Sequence, residues 1–85
     1  MVDVIPFPGA IPEALAVGRR IRRWREHRGV TMEDLALAVR VEPSELRAAE
    51  AGRFRLNSVQ LHAVTHHLHI PLNVLFEDRL SFPVH

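Results

Sequence analysis

Apolar residues recur at three- and four-residue steps along most of this chain, and the breaks in that rhythm divide it into five short helical stretches. The first predicted helix runs from about Glu13 to His27, with Ala14, Val17, Ile21 and Trp24 on one stripe, and Gly29 stops it. The second opens at Thr31, whose hydroxyl can accept from one orphan N–H while Asp34, three residues on, answers another. Leu35, Ala36 and Val39 form its apolar side, Val41 fills a tight turn, and Pro43 stands where the first residue of a third helix needs no N–H. Leu46, Ala49 and Glu50 fall on the inward side of that third helix, which Gly52 ends. A fourth begins at Asn57 or Ser58, is capped by an Asn-x-x-Gln pair with Gln60, and buries Leu61, Val64 and Leu68. Pro71 opens a last short helix whose apolar side is Leu72, Leu75 and Phe76. The expected fold is all-α.

The two ends follow another rule. Residues 1–12 carry three prolines and one glycine, so they should run extended as an arm. Val2, Val4, Ile5 and Phe7 are too apolar for an idle tail; the arm either packs over its own core or reaches a second subunit. The expected organisation is an arm at 1–12, a helical domain at 13–78 and an apolar, extended tail at 79–85.

At 85 residues the chain suits a single modest core with little room for a catalytic cleft. It has no apolar run near the roughly 20 residues of a membrane span, no secretory leader and no cysteine, so a cytoplasmic protein without membrane contact is expected. Net charge is +1 but unevenly spread. From Val17 to Arg28 it is +5, with Arg19, Arg20, Arg22, Arg23, Arg25 and Arg28 against Glu26; between Gly29 and Gly52 it is −3. Apart from Arg25, which lies beside the apolar stripe, these arginines are expected on the wet faces of the first helix, either merely solvated or as a patch for phosphate or a partner.

Helix, short turn, helix over Thr31 to Glu50 is the arrangement that lets a second helix lie in a DNA major groove. Around it the chain reads Val17-Gly-Arg-Arg-Ile-Arg-x-Trp-Arg-Glu-x-Arg-Gly-Val-Thr31, then Glu33-Asp-Leu-Ala36, Val39-x-Val41, Leu46, Glu50-x-Gly52, Leu61, Val64, Leu68-x-Ile70 and Leu75-Phe76. In these residues it resembles the Cro/C1-type (XRE) helix-turn-helix regulators. The resemblance implies a compact five-helix, lambda-repressor-like DNA-binding domain, a recognition helix beginning at Pro43, and a twofold homodimer on duplex DNA. It also implies a partly buried ion pair between Arg25 and Glu50, each charge being costly to bury alone.

By the same resemblance, the positions that read base edges are Pro43, Ser44, Arg47 and Ala48. Arginine is the residue for guanine, so Arg47 is the strongest candidate and Ser44 a permissive one. Arg40, Arg53, Arg55 and the helix start at Thr31 are the candidates for phosphate. Four features depart from the family: Met32 replaces a phosphate-binding glutamine, Arg40 replaces a turn glycine, acidic Glu42 and Glu45 flank the reading surface, and Met32, Leu37, Pro43, Ala48 and Ala51 make it apolar. Two readings follow, a DNA-binding regulator or a helix-turn-helix fold repurposed to bind a protein partner. An enzyme is not expected, nor a cofactor or metal. His62 and His66 have a zinc-compatible spacing, but no HExxH pattern accompanies them, and the cluster with His67 and His69 reads as solvent-facing or interfacial.

Overall fold

The computed structural model describes residues 12–76, which form α1 (Pro12–His27), α2 (Met32–Val39), α3 (Pro43–Glu50), α4 (Ser58–Leu68) and a closing 3-10 turn (Leu72–Leu75). The expected arm, apart from Pro12, and the tail at 79–85 lie outside the described residues. Pro12 itself opens α1, because its fixed φ and missing N–H cost nothing at a first helical position.

The described residues are all-α, with four α-helices rather than five. The expected fifth helix is a single 3-10 turn in which the N–H of Val74 donates to Pro71 O and that of Phe76 to Asn73 O. The tighter winding changes which residues face the core: Leu75 is fully buried and Val74 joins it, while Phe76 turns outward.

Ile21, Leu35, Leu46, Val64, Leu68 and Leu75 form the sealed centre of one core, which also includes Trp24, Ala36, Val39 and Ala49. Helix α1 packs on α3 and on the 3-10 turn, and α2 packs between α3 and α4. Each fully buried aliphatic side chain stabilises the fold by about 1.5–3 kcal/mol relative to an exposed one.

The helix ends show why the chain turns where it does. At α4, Asn57 Oδ1 accepts from the N–H of Gln60 and Gln60 Oε1 accepts from that of Asn57, both at 2.8 Å. At α2 only half of the expected box forms: Thr31 Oγ1 accepts from the N–H of Asp34 at 3.0 Å, while Asp34 is one methylene shorter than the glutamate a full box uses.

All four α-helices end in the same motif, a residue of positive φ followed by a 6→1 hydrogen bond. Val30 donates to Arg25 O, Val41 to Ala36 O, Arg53 to Ala48 O and Ile70 to Thr65 O. Glycine takes the left-handed position twice, at Gly29 and Gly52; Arg40 (φ 66) and His69 (φ 59) take it at the ends of α2 and α4. Valine or isoleucine follows three of these turns, at Val30, Val41 and Ile70, and packs back on the core.

Two arginines of the Val17–Arg28 stretch bond to backbone carbonyls across the core, and one of them, Arg20, leaves the expected wet face while Arg28 stays exposed. Arg20 is buried and its Nη1 donates to Leu75 O at 2.8 Å, tying α1 to the 3-10 turn. Arg28 donates from Nε to Leu68 O at 2.9 Å and from Nη2 to His69 O at 3.2 Å, satisfying carbonyls at the end of α4, with its guanidinium 5.4 Å from the Trp24 ring centre. The Val17–Arg28 charge excess is therefore partly internal structure.

Candidate nucleic-acid interface

Helix α3 is held from behind, and that fixes what it presents in front. Leu46 is sealed in the core, with Ala49 and Glu50 buried beside it. At Gly18 of α1 the two backbones meet: a Cβ there would collide with the carbonyl oxygen of Ala49 and stand 2.7 Å from that of Glu50. Two turns along the same side of α1, Arg25 Nε donates to Glu50 Oε2 at 2.7 Å and Nη2 to Oε1 at 3.2 Å. The expected ion pair is therefore a two-pronged one, with side chains 12 % and 6 % exposed, which is the burial at which loss of either partner is costly. Arg25 also donates from Nη1 to Val30 O at 3.1 Å, so one guanidinium joins α3 to the loop before α2. The Glu50 hydrogen bond outweighs burial and raises the Arg25 pKa, keeping the charge that the pair requires.

With that side fixed, Ser44 and Arg47 are exposed, and their i, i+3 spacing puts them on one outer face of α3 with half-buried Ala48 beside them. Pro43 is at the first helical position and half-buried. Glu45, one of the two carboxylates expected to flank the reading surface, turns back: its Oε1 accepts from the Glu42 N–H at 2.9 Å and caps α3. Glu42 is exposed.

The candidates for phosphate lie at the ends of these helices. Thr31 caps α2, Arg40 forms the α2–α3 turn in the left-handed region, and Arg53 follows α3; all three are exposed. Arg55 is also exposed, with Nη2 3.4 Å from Glu13 Oε1, a surface pair that is readily exchanged. The outer face includes Leu37, 79 % exposed on α2, and half-buried Met32 and Ala51.

Gly18, Arg20 and Arg28 are the residues that sequence reasoning missed. Each carried a signal. A glycine inside a helix costs about 1 kcal/mol against alanine, which calls for a packing reason. Arg20 and Arg28 continue the three- and four-residue spacing of the Val17–Ile21–Trp24 stripe, Arg20 within it and exposed Arg28 at its end. His62, His66, His67 and His69 are exposed, and among the described residues no three His, Asp or Glu side chains are placed to hold a metal ion.

A capped α2, a three-residue turn opened by left-handed Arg40 and an α3 anchored along its inner side define a helix-turn-helix domain. A family model described as "Helix-turn-helix domain" matches residues 16–74, and the chain belongs to that family, in its Cro/C1-type form. Two crystal structures of the clp gene regulator ClgR from Corynebacterium glutamicum are similar. One shares 35 % identity with TM-score 0.71, over 73 % of this chain and 66 % of that one; the other shares 32 % with TM-score 0.72, over 84 % and 90 %. The restriction-modification controller protein C.AhdI from Aeromonas hydrophila has the same fold at 24 % identity and TM-score 0.72, over 78 % of this chain and all of that one. The SinR/SinI protein complex matches at 24 % identity and TM-score 0.64, over 80 % of this chain and 68 % of that one. No curated protein matches the chain.

Proposed function

We propose that this domain is a DNA-binding transcriptional regulator that docks α3 in the major groove of duplex DNA and acts as a homodimer in the cytoplasm, without catalytic chemistry. The observation that carries this reading is the pairing of an anchored inner face with an outer face bearing Ser44 and Arg47. Arg47 is long enough to take the O6 and N7 acceptors of a guanine, and Ser44 accepts several bases. Thr31 with the first turn of α2, Arg40 and Arg53 set the register on phosphates, and Arg55 joins them when it leaves Glu13. In a twofold dimer the two α3 helices would meet half-sites about 34 Å apart. The names of its relatives, a gene regulator and a controller protein, support the same reading.

One observation favours a second reading. Leu37 stands 79 % exposed near the presumed DNA side, where a phosphate-binding surface has no use for it, and a protein partner would cover it. Selection of bound duplexes from a random pool, repeated across salt concentrations, separates the two. The first reading predicts one enriched, twofold-related sequence whose binding falls steeply with salt. A pool that stays random, with no retention at low salt, favours the second.

A further inference from the structure

One side of the core is unfinished. A groove of about 520 Å³ opens between α1 and the segment leading into α4, lined by Ala14, Val17 and Ile21 on one wall and Phe54 and Leu61 on the other, with Phe76 at its rim. Val17, Phe54 and Leu61 pack against the core yet are only half-buried, and Phe76 is 52 % exposed. The described chain begins at Pro12, next to Glu13 on the edge of this groove.

We propose that residues 2–7 dock in this groove of their own chain and complete its core. This rests on the groove and the sequence, and stands whether or not the domain binds DNA. Within those residues Val2, Val4, Ile5 and Phe7 are apolar, and Asp3 is the single charge. Pro8-Gly9 follows, a dipeptide that favours the chain reversal such docking requires. The lengths agree: Glu13 to Ile21 rises about 12 Å along a helix axis, and six extended residues reach about 20 Å. Pro6 and Pro8 have no N–H to leave unsatisfied over an apolar floor, which suits an extended segment with no strand beside it.

The occupant is the chain's own arm rather than a neighbour's, because a short tether holds it at an effective concentration of order millimolar, well above a micromolar solution of the protein. The tail is the competing segment. It leaves Phe76 through Glu77, Asp78 and Arg79, a charged run favouring water over an apolar wall.

Since the sequence has no cysteine, disulfide trapping in the full chain is free of background. Three double variants are compared under mild oxidation at low micromolar concentration: Ile5→Cys with Leu61→Cys, Phe82→Cys with Leu61→Cys, and Ile5→Cys with Leu37→Cys as a remote control. The expected result is an intrachain bond in the first pair, forming several-fold faster than in either other pair. Predominant interchain bonding would overturn the proposal in favour of arm exchange between copies. A tail pair as fast as the arm pair, or an arm pair no faster than the control, would overturn it equally.

Discussion

Arg25 and Glu50 carry the largest single-residue consequence. Their charges are mutually satisfied and mostly removed from water, so removing one strands the other. Arg25→Met should lower unfolding free energy by about 3 kcal/mol in urea titration; a loss near zero would show that water reaches the pair. Replacing both, Arg25→Met with Glu50→Leu, should cost less than the single change, because no buried charge is then left alone. Since the pair raises the arginine's pKa, its contribution is present below the ordinary arginine value and is lost only as pH rises through the folded one. No change from this arginine is therefore expected across neutral pH. Arg40 is a residue in the wrong conformation for its type, at φ 66. Arg40→Gly removes left-handed strain of about 1 kcal/mol and adds some freedom to the unfolded chain, for a net gain of about 0.5 kcal/mol. Thermal melting checks the sign.

At the scale of elements, α1 is the part that sets α3. It does so at two points, the backbone contact at Gly18 and the Arg25 fork, both toward the C-terminal end of α3. Gly18→Ala cannot be absorbed by a rotamer change, because the atoms it meets are carbonyl oxygens. The helices must separate, at a cost of about 1–3 kcal/mol typical of overpacking, despite alanine's better helix propensity. Urea unfolding that showed Gly18→Ala to be neutral or stabilising would mean the contact is loose. Helix starts and stops were legible in the sequence, because caps such as Thr31, Asn57 with Gln60 and Gly52 act within a few residues of themselves. The Arg25–Glu50 pair was legible too, through the spacing of a known family. The spacing of Arg20 and Arg28 marked them out, but their partners were not legible, because Leu75, Leu68 and His69 offer backbone carbonyls 40 or more residues away and any residue type supplies those. The last helix was overextended for a related reason: apolar spacing at Leu72, Leu75 and Phe76 fits either winding, and four residues are too few to decide between them.

For the whole molecule, the core and its clamps deliver one exposed helix face. Ser44 and Arg47 were legible through the family resemblance, whereas the capping role of Glu45, which turns its carboxylate back to Glu42, required the structure. Loss of a phosphate contact and loss of a base contact should look different. Arg53→Ala is expected to weaken binding alike for all duplexes and to reduce the salt slope by about 1, whereas Arg47→Ala should cost about 1–3 kcal/mol at one base position. The direct measurement is therefore the affinity of wild type and Arg47→Ala for the selected duplex and for that duplex with each base pair changed in turn. The predicted result is a wild-type preference for guanine at one position of each half-site that Arg47→Ala abolishes while its urea unfolding is unchanged. Wild type and Arg47→Ala binding every duplex with the same affinity would contradict the assignment of α3 as the DNA-reading helix.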